Sequence, residues 1–403
     1  MTIRALLAYS SMLLVVAGCA KPAPPPPAPP PVVTNDTSER SFEEAVNVAT
    51  DALVAQLQRA PAASAKTDAK RGVVIDPMID SSSGQQTAST QALEQRVTER
   101  LASGAVPLEV MPFLIANVSK AQYVLTGTMT RTPSSQAGAP HVFQINLALT
   151  DLQSGTVVAQ ASSRARDEGL DMNPTRYYRD SPIVVKDKVV DGYIATSQAA
   201  PGSPADPVYF ERVATASTIA EATVAYNNES YQDALALYQS AAAKPGGEQL
   251  RVLNGVYLAS WKLRRTSEAE EAFGKVVAFG LTNNNLGVKF LFNPGTTNFW
   301  SDPQVSGPYG FWLRQIARQA VLARVCMNLV GHTSRTGTVP YNDRLSLQRA
   351  AYIKQRLERE APQLASRTRA SGMGFRENLV GTGTDDARDA LDRRVEFKIS
   401  ECS

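Results

Sequence analysis

The chain has 403 residues, enough for two or three domains, and its 41 basic and 38 acidic side chains leave a formal net charge of +3. So small an imbalance gives no electrostatic case for nucleic acid or for a strongly acidic substrate. With two histidines and three cysteines no metal-ligand cluster is visible, and no nucleophile elbow, P-loop or zincin motif occurs, so the expectation is a protein that is not an enzyme and carries no cofactor.

Taken in chain order, residues 1–18 join a basic start at Arg4 to an apolar run from Ala5 to Val16, the layout of a secretory signal peptide and too short to span a bilayer comfortably. Val16-Ala17-Gly18-Cys19 resembles a bacterial lipobox, which implies cleavage before Cys19 and diacylation of its sulfur. The alternative is an ordinary secreted protein with a chance cysteine. Two or three acyl chains anchor stably, and Ala20 in place of Asp after the cysteine resembles lipoproteins sorted to the outer membrane. No other segment approaches a transmembrane length, so the lipid is the expected anchor. Residues 19–40 are assigned to this anchor and a linker. Within them, Lys21-Pro-Ala-Pro-Pro-Pro-Pro-Ala-Pro-Pro-Pro31 favours polyproline II, either as a spacer or as a ligand for a proline-binding module.

Residues 41–166 read as one α/β domain. Ser41 and Glu44 fit a capping box, and Phe42, Val46, Ala49, Leu53 and Leu57 share a helical face. Strands are expected at Gly72–Ile79, Tyr123–Met129, Val142–Thr150 and Thr156–Ala161, with a helix at Gln91–Leu101. This layout, with the phrase Asp151-Leu-Gln-Ser-Gly-Thr156, is similar to periplasmic lipoprotein domains of the LpoB, FlgO and CsgG type, which implies a protein-docking surface; a spacer domain is the plainer reading. Residues 167–207 read as a connecting segment closed by the boundary phrase Ala199–Pro207. Arg176-Tyr-Tyr-Arg-Asp180 within it is either a recognition patch or a run that packs the connector on its neighbours.

Residues 208–282 contain a helical repeat. Tyr231, Ala234 and Tyr238 recur as Thr266, Ala269 and Phe273, a spacing close to the roughly 34 residues of tetratricopeptide helix pairs, which the segment resembles. Two repeats are fewer than a solenoid needs, so they are expected to lean on adjacent domains, as a rigid spacer or as a concave surface for envelope protein partners. If Cys19 is lipidated, Cys326 and Cys402 remain in an oxidising compartment and are expected to pair, two buried free thiols being the alternative.

In residues 285–403, strands are expected at Val288–Phe292, Val325–Val330, Arg367–Gly372 and Arg394–Ile399. Helices are expected at Tyr309–Ala323 and Asn342–Ala361, the second with Leu347, Ala350, Ile353 and Leu357 inward. Gly331-His-Thr-Ser-Arg-Thr-Gly-Thr-Val-Pro-Tyr-Asn-Asp-Arg-Leu-Ser-Leu-Gln-Arg-Ala350, Gly372-Met-Gly-Phe375 and Leu391-Asp-Arg-Arg-Val-Glu-Phe397 together resemble the OmpA-like peptidoglycan-binding domain. The fold expected is therefore multidomain α/β: an N-terminal α/β domain, central α-helical tetratricopeptide-like repeats and a C-terminal OmpA-like βαβαβ(α)β domain.

The resemblance implies recognition of the zwitterionic end of diaminopimelate in the peptidoglycan stem peptide. Arg349 matches the arginine that binds the ligand carboxylate, as a forked cation suits. The family's aspartate for the ligand ammonium is here Ser334, and losing a charged acceptor costs about 1 to 3 kcal/mol, or ten- to hundredfold in affinity. Thr336, Asn342 and Arg393 match positions that line or support the groove, while Asp392 replaces the usual asparagine. Asp343 is a further anion, with no reason from the pattern to face the groove. His332 reads as a hydrogen-bonded loop residue rather than a metal ligand. Two functions follow: a lipoprotein that fastens the outer membrane to the wall, or an envelope assembly or regulatory scaffold with weak or lost wall binding.

Overall fold

Pro77 breaks the run expected to be one strand at residues 72–79, because proline has no N–H to give to a sheet ladder. The structure, a computed structural model, describes residues 34–59, 71–103, 108–135, 140–293, 295–381, 383 and 390–402. The signal peptide, Cys19 and the proline run lie outside the described residues. In the front domain the elements are β1 (Thr34–Arg40), α1 (Phe42–Arg59), β2 (Arg71–Ile75), β3 (Ile79–Asp80), α2 (Ala88–Ala102), β4 (Leu108–Met111) and α3 (Ile115–Val118). Three long strands follow, β5 (Tyr123–Thr132), β6 (Val142–Asp151) and β7 (Val157–Arg166). They form a mixed sheet in the order β1-β7-β6-β5-β2-β4, with β3 beside β5.

β1 runs parallel to β7, so residues 34–40 belong to the sheet and the linker assigned to 19–40 gives way at residue 34. The Glu44 amide donates to the Ser41 hydroxyl at 3.3 Å, starting α1 where the capping pattern places it. Val46, Ala49, Leu53 and Leu57 are buried from that helix against Leu125, Phe143, Ile145 and Leu147 of the sheet. The Gln56 side chain then behaves like a short strand on β7: its Nε2 donates to the Gln160 carbonyl at 2.7 Å and its Oε1 accepts from the Gln160 N–H at 3.1 Å.

The reading of 167–207 as a connector is corrected: residues 188–207 form a layer on this domain's sheet, while Tyr177, Tyr178, Ile183 and Val185 pack into the core of the later helices and the C-terminal sheet. The segment carries α4 (Arg176–Asp180) and α5 (Lys188–Gln198) and runs into α6 (Pro207–Phe210). Helices α5 and α6 cover the second face of the sheet, where Tyr193 and Tyr209 are buried with Val74 and Val124. The Tyr193 hydroxyl donates to the Gly127 carbonyl at 3.0 Å and accepts from its N–H at 2.9 Å. Thr128 and Ser197 hydroxyls meet at 3.1 Å. The interface mixes apolar and polar groups: the inward face of α5 carries Val189, Val190 and Tyr193 together with Gly192, Thr196 and Ser197, which dilutes the apolar period of a core helix. Tyr177 and Tyr178 of α4 are buried too, so packing accounts for these rings of the 176–180 run.

Four consecutive helices follow: α7 (Val213–Asn227), α8 (Tyr231–Ala242), α9 (Leu250–Lys262) and α10 (Thr266–Thr282). They make two helix pairs with the same turn. Ser230 N–H donates to Ala225 O and Arg265 N–H to Ser260 O, both at 2.9 Å, with Glu229 and Arg264 at φ of 65° and 59°. Their buried side chains form one core with Tyr177, Phe290, Trp312 and Leu329, so the pairs do lean on α4 and on the C-terminal segment.

The last elements are β8 (Gly287–Val288), α11 (Pro303–Ser306), α12 (Tyr309–Leu322), β9 (Cys326–His332), α13 (Val339–Glu360), β10 (Thr368–Gly374) and β11 (Val395–Ser400). The sheet order is β10-β9-β11-β8, with β9 and β10 parallel and β11 antiparallel to both its neighbours. The first strand is shorter than expected: Lys289–Phe292 leave the sheet toward a small turn in which Phe292 pairs with Phe299. Leu347, expected inward on α13, is exposed; Leu345, Arg349, Ala350, Ile353 and Leu357 face in. Cys326, at the start of β9, forms a disulfide with Cys402, just beyond the end of β11. Closing a loop of 76 residues stabilises by about 4 kcal/mol in the chain-entropy treatment. No helix among the described residues is long and apolar enough to cross a membrane.

Asp187 joins these layers. Its Oδ1 accepts from Val189 and Val190 N–H at 3.0 and 3.2 Å, capping α5, and its Oδ2 accepts from Leu250 N–H at 2.9 Å, the first residue of α9. Asp187→Ala leaves these amides without their acceptor and is expected to lower stability by about 2 to 4 kcal/mol, with Asn recovering part; urea denaturation of the three proteins checks it. A second outcome concerns pH. Burial pushes the Glu94 carboxyl up to about 7 and that of Asp76 up to about 6, with the Met78 N–H opposing at Glu94 and Arg251 and the Tyr209 hydroxyl opposing at Asp76. Both folded values exceed those of the unfolded chain, so the native state binds more protons. Their stabilising contribution is complete in acid and is lost as pH rises through these values. Glu94→Gln, which keeps an acceptor for Met78, should therefore raise the urea midpoint at about pH 8 and flatten its dependence down to about pH 5.

Candidate functional site

Two glycines let α13 lie directly on β9 and β10. A Cβ on Gly331 would stand 2.1 Å from Ser346 O, and one on Gly372 would stand 2.6 Å from Leu347 N. This contact sets the helix start against the loop that leaves β9, and so sets where Ser334, Asn342 and Arg349 emerge. Asn342 braces that loop: its Nδ2 donates to Thr336 O at 2.8 Å and Thr338 O at 3.1 Å. The Ser334 and Thr336 hydroxyls meet at 3.1 Å. Asp392 accepts from the N–H groups of Leu379, Val380 and Gly381 at 2.7, 3.0 and 2.8 Å, tying down the loop after β10 beside Arg393.

Ser334, Thr336, Asn342, Arg349 and Arg393 all line one cavity of about 800 Å³. Arg349 is buried in its wall. Its Nε donates to Thr296 O at 3.2 Å and its Nη2 lies 3.5 Å from Asn293 O, while the guanidinium sits 4.9 Å from the Phe292 ring centroid. It therefore also holds down the turn that follows β8. Asp343 does not line the cavity; it pairs with Arg376 at 2.7 Å.

The opposite wall comes from outside residues 285–403. Asp180 of α4 and Tyr257, Trp261 and Lys262 of α9 line the same cavity, with Lys289, Trp300, Tyr309, Trp312 and Tyr341 from the C-terminal segment. Asp180 Oδ2 faces Lys262 Nζ at 2.8 Å and accepts from the Tyr226 hydroxyl at 3.0 Å. Lys289 is buried, with Nζ donating to Arg179 O at 3.1 Å and Tyr178 O at 3.3 Å. Burial, reinforced by Arg393 and Arg179 and opposed by Asp180, lowers its pKa to about 8. Sequence reasoning missed this wall. Its residues are single letters in helical and turn segments, and the one signal on offer was that all three tryptophans of the chain, Trp261, Trp300 and Trp312, fall within a short stretch.

His332 lies at the end of β9 rather than in a loop, fully buried, with Nε2 3.6 Å from Glu396. Glu377 is close to both, a grouping with the ligand types of a metal site. The carboxylates already face cations, however: Lys398 Nζ lies 3.1 Å from Glu396 and 3.5 Å from Glu377, and Arg394 Nε donates to Glu396 at 2.8 Å. Burial alone would raise the Glu396 carboxyl, but His332 and Arg394 hold it well below the usual range. The group is a charge-balanced ion-pair network.

No protein-family model and no curated protein matches the chain. Solved structures do resemble parts of it. The peptidoglycan-associated lipoprotein from Burkholderia pseudomallei matches at 22% identity over 28% of this chain and 89% of that one, with a TM-score of 0.24. The cell wall anchor of the T6SS from Pseudomonas aeruginosa matches at 24% identity over 29% and 80%, with a TM-score of 0.24. The LpoB C-terminal domain from Salmonella enterica matches at 14% identity over 30% and 98%, with a TM-score of 0.21.

Arg349→Ala removes donors from two carbonyls and a cation from the Phe292 face, so it should lower stability by about 1 to 3 kcal/mol. Arg349→Lys, a cation without the fork, should recover less than half of that loss. Thermal unfolding of the three proteins at matched pH reads the difference.

Proposed function

We propose that this is a lipoprotein of the outer membrane that binds peptidoglycan non-covalently through its C-terminal segment and links that membrane to the wall, as a binding protein and not an enzyme. The observation that carries the reading is the convergence of Ser334, Thr336, Asn342, Arg349 and Arg393 on one cavity. These are the positions the OmpA-like motifs single out, and they come from a loop, a helix and the approach to the last strand. In this reading Arg349 and Arg393 supply cations for the carboxylates of the diaminopimelate stem peptide, Asn342 and Thr336 shape the loop, and the Ser334 hydroxyl accepts from the ligand ammonium. Cys19 carries the lipid, and the proline run spans from the membrane to residue 34.

One observation favours the scaffold reading instead, in which the front domain and helix pairs recruit envelope proteins and wall binding is weak. The N–H groups of Arg349 that point to Thr296 and Asn293 are engaged by this chain's own carbonyls. Sedimentation with purified sacculi separates the two. The chain from Ala20 onward should co-sediment, Arg393→Ala should sediment less, and Ser334→Asp should bind about ten- to hundredfold tighter by restoring an acceptor of opposite charge to the ammonium. Wild-type protein that stays in the supernatant while Ser334→Asp sediments would remove wall anchoring as the function.

A further inference from the structure

The cavity is several times larger than an amino-acid zwitterion needs, and its surplus is aromatic. Trp300 and Tyr341 are the exposed large aromatic side chains among the described residues, 38% and 42% accessible, and both line it. Trp261 of α9 joins them from the helical wall. The same cavity is lined by the Asp180 carboxylate and the Lys262 ammonium, 2.8 Å apart. Large aromatic faces left open to solvent on a folded protein mark a binding surface. Aromatic faces flanked by a hydrogen-bonding acceptor and donor suit a ligand with an apolar C–H face and a polar rim, which is the chemistry of a sugar ring.

We propose that this part of the cavity is a sugar subsite, taking an N-acetylated amino sugar of the glycan to which the stem peptide is attached. The inference rests on the peptidoglycan reading above, because the occupant follows from continuity with the cavity that holds Ser334 and Arg349. The sugar's C–H face lies on the rings of Trp300 and Tyr341, and its hydroxyl and acetamido groups meet Asp180 and Lys262. Helix α9 is then part of the binding site and not only a spacer.

Titration calorimetry on the chain from Ala20 onward tests this with three soluble probes, the disaccharide tetrapeptide, the tetrapeptide without sugar and the disaccharide without peptide, and sedimentation adds a fourth, whole sacculi. The disaccharide tetrapeptide should bind about tenfold or more tighter than the tetrapeptide. Trp300→Ala with Tyr341→Ala should bring it down to the tetrapeptide's affinity while leaving the tetrapeptide unchanged, and Trp300→Phe should restore most of the difference. Equal affinity for the two peptides overturns the sugar subsite, as does a loss in the double variant that is the same for both. Either result with sacculi still captured leaves wall binding standing. Failure of all four probes overturns both readings.

Discussion

Everything that makes the cavity composite depends on where α9 is held, and α9 is held at its first residue by Asp187. That carboxylate is buried and divides its two oxygens between the amides that open α5 and the amide that opens α9. A helix is stiff, so fixing its start against the front domain also fixes its far end, where Trp261 and Lys262 reach the cavity. Tyr177 supports the same helix from the side, its hydroxyl donating to Arg251 O at 2.7 Å. The front domain therefore positions one wall of a cavity whose remaining lining lies in residues 285–403.

The charged lining of the cavity is mostly cationic. Lys289, Arg349 and Arg393 share the wall with Lys262, and the acid that faces Lys262 is Asp180, from another part of the chain. Burial disfavours the charged form of Lys289 and lowers its pKa, with Asp180 opposing and Arg393 and Arg179 adding to the effect. The side chains that brace the loops, Asn342 and Asp392, spend their hydrogen bonds on backbone and so fix shape.

The C-terminal segment was legible because its elements are local and periodic. Strand β9, helices α12 and α13, and the strands β10 and β11 fall within a few residues of where apolar periodicity places them. Leu347 was misplaced because on a 22-residue helix the inward stripe also takes in Ser346 and Arg349, which hydropathy scores as outward. The long strands β5, β6 and β7 of the front domain were legible in the same way, but β1, β4 and α5 were not. The buried face of α5 mixes Val189, Val190 and Tyr193 with Gly192, Thr196 and Ser197, the last meeting Thr128 of the sheet opposite, so its hydrophobic signature is diluted by polar groups satisfied through hydrogen bonds.

By itself the sequence determined the things that depend on short stretches of chain: the strand and helix periods, the Ser41 cap, the helix-pair repeat, and the motif residues around Gly331, Gly372 and Leu391. The pairing of Cys326 with Cys402 was also within its reach, since few partners were on offer. Tertiary structure alone decided that residues 34–40 are a strand, that residues 188–207 are a layer of the front domain, and that Asp180, Trp261 and Lys262 share a cavity with Ser334. The reason is physical. Periodicity and capping are properties of neighbours along the chain, whereas a cavity wall is set by which buried faces can satisfy one another, and that is settled only when distant segments pack.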